Sequence, residues 1–185
     1  MRAQFWERDM RLSVICPILE QQRIHAIELA EQHARDFLRS LDVAEDELQL
    51  SDIGCLRTDK DNGLQEIHAD IQLHEHAPSC FIVIFYLCDT DSTAVPLHTT
   101  EELKPAWEMS IPKATRFFER ITFLTTRVEA GTMMAIRGDT FHYGVGNPDS
   151  YRRYVGFMSF TPSDEKPFDS QDQYYPTGTR DGGKK

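Results

Sequence analysis

Seven consecutive residues, Phe81-Ile82-Val83-Ile84-Phe85-Tyr86-Leu87, are aliphatic or aromatic without a polar break, and nothing else in the chain constrains the fold as much. Pro78-Ser79 precedes the run and Asp89-Thr90-Asp91-Ser92 follows it, so it has the length of a strand and is too short for a stable helix. An apolar run without alternation is a strand covered on both faces. The chain must therefore place a layer on each side of it, which 185 residues can do around a single core. Three more strand-like runs follow at 121–128, 132–136 and 153–160, separated by Gly131, Gly138 and the turn Gly144-Val145-Gly146-Asn147-Pro148. Short strands punctuated in this way predict a mainly β sandwich or barrel.

Ahead of these strands, Ile27, Ala30, Ala34, Phe37, Leu38 and Leu41 recur on one helical face, and Pro17 stands where a helix can start. A supporting helical region is expected at about 17–41, packed on a sheet. Beyond the turn-prone Asp59-Lys60-Asp61-Asn62-Gly63 the period changes to two, with Leu64, Ile67, Ala69, Ile71 and Leu73 giving a mostly alternating apolar set. The β core is expected at about 64–160. Residues 96–120 read as a loop with short helical pieces around Leu103 and Arg116-Phe117-Phe118, a candidate lid by its position between core strands. From Pro162 onward the chain is polar, with Pro167, Pro176 and a final Gly-Gly-Lys-Lys. This predicts a single domain over 1–162 and a loosely held tail over 163–185.

Charge narrows the partners. Lys and Arg number 20 against 30 Asp and Glu, a formal charge of −10, which is the opposite of the basic footprint that phosphate backbones select. Nucleic acid is not expected as a partner; a basic or neutral peptide, or a small molecule, suits the acidic surface. The longest apolar run, 80–88, falls far short of the ~20 residues of a spanning helix. Met1-Arg2-Ala3-Gln4-Phe5-Trp6-Glu7 lacks a secretory hydrophobic region, so no membrane partner and a cytoplasmic location are expected. Nothing in the sequence sets an oligomeric state. Cys16, Cys55, Cys80 and Cys88 are far apart with no CxxC pair, which argues against a zinc knuckle or a thioredoxin-like redox motif. Cys80 and Cys88 bracket the core strand and read as buried thiols.

In a strand, residues two apart project from one face, so His68 and Asp70 set an imidazole beside a carboxylate while Ile67, Ala69 and Ile71 face the other way. A chain with 7 His and 30 acidic residues contains a His-x-acid triplet about once by chance, and the two could simply be polar neighbours on a solvated face. The ordered set around them adds weight: the strand ending Tyr86-Leu87, the Gly131-led strand, His142 in a turn, and an Arg at the start of the last strand. Two imidazoles and one carboxylate on one face of a metal, with the opposite face open, suit non-heme iron(II), leaving positions for an organic chelate and O₂.

His68-Ala69-Asp70, Phe85-Tyr86-Leu87-Cys88-Asp89, the segment from Ala130-Gly131 to Ile136, Phe141-His142-Tyr143-Gly144 and Arg152-Arg153-Tyr154-Val155-Gly156-Phe157 together resemble the iron(II)/2-oxoglutarate-dependent oxygenase superfamily. The prolyl 4-hydroxylase-like and phytanoyl-CoA hydroxylase-like branches look nearest. The resemblance covers roughly half the chain and implies a double-stranded β-helix (jelly-roll) barrel in which His68, Asp70 and His142 hold Fe(II). It further implies 2-oxoglutarate as co-substrate, O₂ as oxidant and hydroxylation of a C–H bond in a peptide or small molecule. About ten residues after the distal His, such enzymes carry a cation for the far carboxylate of 2-oxoglutarate, and Arg152 and Arg153 both lie there. A guanidinium can grip a carboxylate through two parallel charge-assisted hydrogen bonds. On a strand only one of these neighbours points inward; the phytanoyl-CoA hydroxylase-like spacing favours Arg153, with Arg152 as the alternate. Tyr86 can give the same carboxylate a phenol hydrogen bond or serve as a core aromatic. Two departures stand out: Cys88 replaces an Asn at the strand end, and Asp91-Ser92-Thr93-Ala94 replaces a Gly-rich hairpin.

A cupin-type metal site from His74, His76 and His142 is the competing reading, with Asn147 beyond. An extended path puts His74 and His76 roughly 13 to 20 Å from Asp70, so the two sets cannot share one ion without a sharp turn. The Glu expected a few residues after His76 is absent. A non-catalytic barrel that binds a ligand is the third reading. His25 and His33 read as structural, His98 as a loop residue or part of a lid, and Arg137 as a surface ion pair.

Overall fold

A computed structural model describes residues 4–8, 11–15, 25–59, 64–71, 79–147, 149, 151–164 and 175–176, with the first two stretches as backbone. The architecture is mainly β with supporting helices. Its main layer is a six-stranded antiparallel sheet of β1 (Gln4–Arg8), β2 (Arg11–Ile15), β3 (Leu48–Thr58), β4 (Phe81–Tyr86), β9 (Met133–Arg137) and β10 (Arg153–Pro162), in the order β1-β2-β3-β10-β4-β9. The second layer is built from fragments. β5 (Thr90–Asp91) pairs with β8 (Arg127–Val128), β6 (Val95–Pro96) pairs with β7 (Phe123–Leu124), and isolated bridges join Ala94 to Tyr143 and His68 to His142.

The apolar run forms β4, flanked by β10 and β9 and covered on both faces. Val83 faces outward into a cluster with Met158, Phe160, Ala34 and Leu38. Ile82, Ile84 and Tyr86 face inward, with Ile136, Val155 and Phe157 from the same sheet and Val95 and Val128 from the second layer.

Helix α1 (His25–Ser40) closes the outer face with Ile27, Ala30, Ala34, Phe37 and Leu38; Pro17 lies outside the described residues. Leu41 leaves the expected face and is 51% exposed. The helix stops there in a Schellman turn: Val43 N–H bonds Leu38 C=O at 3.2 Å, Asp42 N–H bonds Arg39 C=O at 3.1 Å, and Asp42 has φ 59°. Val43 then packs into the cluster that Leu38 enters. Arg35 ties the helix to the sheet by donating to the carbonyls of Glu45 (2.9 Å) and Leu48 (3.2 Å), with its guanidinium 5.2 Å from the Phe160 ring centre.

Strand β3 is the longest in the sheet, at 11 residues, and precedes the region where alternation placed the β core. Its pattern is broken by a bulge: Ser159 opposes Asp52 and Phe160 opposes Leu50, so Ser51 is the extra residue. The bulge flips the phase of the apolar set, and Leu48, Leu50 and Ile53 all reach the outer cluster despite their odd spacing. The ring of Phe157 lies directly over Gly54, where any Cβ would come within 2.4 Å of it.

The segment expected as a lid contains α2 (Thr100–Leu103), a 3-10 turn (Lys104–Glu108) and α3 (Ile111–Phe118). It does not cover the inner face. Leu103, Ala106 and Phe118 pack with Ala69 and Phe141, the residues that alternate with His68, Asp70 and His142, so the segment buttresses the outer side of the second layer. Cys80 is buried as expected, whereas Cys88 is partly exposed, with its thiol 3.8 Å from Tyr154 C=O.

Candidate metal centre

His68 and His142 face one another across the second layer as a hydrogen-bonded antiparallel pair, with N–H to C=O distances of 3.0 and 2.8 Å. This pairing puts both imidazoles on the same face, with ring centres 4.4 Å apart. His142 thus sits on a bridge rather than in a turn. Asp70 joins the same face two residues along. His68 Nε2 lies 3.6 Å from Asp70 Oδ1, and His142 Nε2 lies 3.5 Å from Asp70 Oδ2. All three residues are buried, with exposures of 4, 8 and 6% for His68, Asp70 and His142.

The ring orientations are chemically fixed. His68 Nδ1 is 2.8 Å from Glu66 C=O and His142 Nδ1 is 2.9 Å from Thr140 C=O. A carbonyl can only accept, so Nδ1 carries a proton in both rings and each ring turns its Nε2 toward the carboxylate. Two ring nitrogens and a carboxylate converge at separations longer than a hydrogen bond, a spacing that a shared cation spans. The backbone carbonyls behind the rings supply the outer support typical of metal-binding histidines. One donor atom from each residue lies within 4.8 Å of the others, and this is the single potential metal-holding group of three or more His, Cys, Asp or Glu among the described residues. Two neutral nitrogens and a carboxylate on one face fit iron(II) with open positions opposite.

The interruption of the second layer makes this possible. In a continuous ladder, the rungs beside His68–His142 would pair 66 with 144 and 70 with 140. Instead Gly144 N–H bonds the Gln65 side chain at 2.7 Å, and Ile71 N–H bonds Gly138 C=O at 3.1 Å. The carbonyls of Glu66 and Thr140 turn to the imidazoles.

Arg153 opens β10 opposite Thr58 and is 4% exposed. Its Nη2 donates to Val145 C=O at 2.6 Å and lies 3.5 Å from Thr58 Oγ1, and its Nη1 donates to Gly146 C=O at 3.3 Å. These carbonyls follow His142 by three and four residues, so one short segment links the metal face to the buried cation. Asn147 pins that segment by donating to Thr58 C=O (3.1 Å) and Tyr151 C=O (2.9 Å). Among the described residues no carboxylate forms an ion pair with Arg153, and its Nε has no hydrogen-bond partner. Burial pushes the guanidinium below its ordinary value, opposed by the electrostatic influence of Cys88, Tyr86, Asp91 and Asp149. Arg152 points the other way, 63% exposed, and its Nε bonds Asp59 at 3.0 Å.

Tyr86 is a core aromatic at 1% exposure, and its hydroxyl also has polar contacts. The oxygen accepts from Thr93 N–H at 2.7 Å, and its proton points to Met134 Sδ at 3.5 Å, a weak acceptor that a carboxylate would outcompete. Arg137 forms the expected ion pair, 2.8 Å from Asp139. His74 and His76 lie outside the described residues. His98 is half-buried in the loop before α2, with no partner on its Nδ1.

Sequence reasoning did not find Tyr175. Its ring stacks on the His68 imidazole at 5.3 Å between centres and 22° between planes, and Pro176 beside it is fully buried. An aromatic-proline step inside a polar stretch was the available signal.

No protein-family model matches the chain, and no curated protein matches it in sequence. In three dimensions its fold is that of non-heme α-ketoglutarate-dependent enzymes. The carbocyclase SnoK from nogalamycin biosynthesis is 13% identical with a TM-score of 0.66, over 97% of this chain and 73% of that one. The epimerase SnoN from the same biosynthesis is 15% identical with a TM-score of 0.58, over 97% and 71%. HygX from Streptomyces hygroscopicus, solved with nickel and 2-oxoglutarate bound, is 13% identical with a TM-score of 0.55, over 90% and 76%. HygX has also been solved with iron bound, and with nickel, 2-oxoglutarate and hygromycin B bound. No helix among the described residues is long and apolar enough to cross a membrane.

Proposed function

We propose that this protein is an iron(II)- and 2-oxoglutarate-dependent oxygenase that hydroxylates a C–H bond of a small molecule, on a double-stranded β-helix whose two strand layers face each other across the metal. The observation that carries the reading is the convergence of two imidazole Nε2 atoms and a buried carboxylate within reach of one ion. His68, Asp70 and His142 hold the iron by one face. Arg153 takes the far carboxylate of 2-oxoglutarate: it is a buried cation without an ion-pair partner among the described residues, aimed inward from the strand that Arg152 leaves outward. The Tyr86 hydroxyl turns from Met134 Sδ to the same carboxylate.

Iron bound here supplies oxidising power from O₂ coupled to decarboxylation of 2-oxoglutarate to succinate. The chain contributes an open coordination face, a fixed seat for the co-substrate and a dry wall of Ile84, Val155 and Phe157 on the inner face of the main sheet. The small-molecule class draws on SnoK, SnoN and HygX, and on the net charge of −10, which favours neutral or cationic substrates. A carbocyclase and an epimerase share the fold, so the fate of the substrate carbon is the part to be measured. Anaerobic addition of Fe(II) and 2-oxoglutarate should give a visible charge-transfer band, followed in air by succinate; the absence of any band overturns the assignment.

A further inference from the structure

We propose that Tyr175 is a positioning residue for the metal ligand His68, delivered to the site by the C-terminal segment. The inference rests on the metal-centre reading above and adds a residue about a hundred positions away from that ligand. Among the contacts of the His68 ring, three bear on its plane. Its Nδ1 donates to Glu66 C=O at 2.8 Å, the His142 ring crowds it at 4.4 Å with planes 52° apart, and the Tyr175 ring lies against it at 5.3 Å with planes only 22° apart. The Nδ1 bond sets the direction of the ring but still allows rocking about the Cβ–Cγ bond, a soft and roughly two-fold torsion. A near-parallel aromatic ring restricts that rocking, and offset stacking is a favoured geometry for such a pair.

The two histidines are not equivalent in this respect. His142 has the same i−2 carbonyl contact, with Thr140, but stacks with no described ring other than His68. Its own neighbour Phe141 is locked into the cluster of Phe118 and Trp107 behind it, so the second layer itself fixes the His142 side. His68 is followed by Ala69, whose methyl makes a smaller anchor in that cluster. Tyr175 supplies from a distance the support that the local sequence gives to His142. Pro176, fully buried beside it, anchors the ring: its fixed φ limits the backbone states open to the pair.

Holding an imidazole in its ligating orientation raises metal affinity by an amount typical of outer support, tenfold or more. The test uses the full chain loaded with Co(II) in place of iron, which reports both affinity and ligand-field geometry without turnover. Tyr175→Ala should weaken Co(II) binding on the order of tenfold and shift the visible d–d bands, while Tyr175→Phe, which keeps the ring, restores both. Circular dichroism and melting of the metal-free variants confirm that each is folded. Tyr175→Ala with parental affinity and spectrum overturns the proposal. Asp70→Ala keeps the two failures apart: if it too binds Co(II) as the parent does, the metal-centre reading itself is wrong, whereas loss of binding in Asp70→Ala with no change in Tyr175→Ala removes only the role of Tyr175.

Discussion

The two strand layers of this protein are built on opposite principles. In the main sheet, β10 pairs with β3 over ten positions and with β4 over six, and its packed clusters are apolar, although Asp52, Thr58, Arg153, Ser159 and Thr161 are also buried on these strands. In the facing layer the named strands are two residues long, two contacts are single bridges, and the buried set includes His68, Asp70, Thr90, Ser92, Asp139 and His142. A regular ladder commits its backbone carbonyls to neighbouring strands, which is what makes it stiff. The broken ladder releases carbonyls, and Glu66 and Thr140 use theirs to fix two imidazoles. Rigidity and chemistry are thereby divided between the layers, with Arg153 at the start of β10 as the residue that crosses from one to the other.

Removing Asp70 is the sharpest way to break this division. Asp70→Ala should abolish the anaerobic iron(II)–2-oxoglutarate band while leaving the melting midpoint of the metal-free protein close to the parent's; a collapse of the fold instead would mean that the second layer is scaffold as well. The converse experiment is Phe160→Ala, at a fully buried ring beneath Arg35. It should cost about 3–5 kcal/mol in denaturant unfolding, yet the folded fraction should bind metal as before. Arg153→Met tests the crossing point: metal binding persists, while titration of the band with 2-oxoglutarate should reveal a loss of about 1.5–3 kcal/mol in affinity, the worth of a hydrogen bond to a charged group. The smallest effect belongs to its neighbour. Arg152→Ala removes only an exposed contact to Asp59 and should change stability by no more than about 1 kcal/mol, with the 2-oxoglutarate titration unmoved.

How far the sequence reached differs between elements for identifiable reasons. β4 was legible because its composition allows no other environment, and the helical face from Ile27 to Leu38 was legible because its period is uninterrupted. β3 was hidden by the Ser51 bulge, which shifts the apolar phase from Leu48 and Leu50 to Ile53. The segment 96–120 was legible as loop and short helices but not in the face it covers, since local patterns do not specify which face of a distant strand they will pack on.

At the proposed site, the sequence by itself supplied the donor types, because His68 and Asp70 alternate on one strand face. It offered two adjacent arginines for the proposed 2-oxoglutarate cation. Tertiary structure alone decided the rest, and the physical reason is pairing. Register placed His142 opposite His68, strand direction turned Arg153 inward and Arg152 outward, and a ring 107 residues further along the chain came to rest against His68.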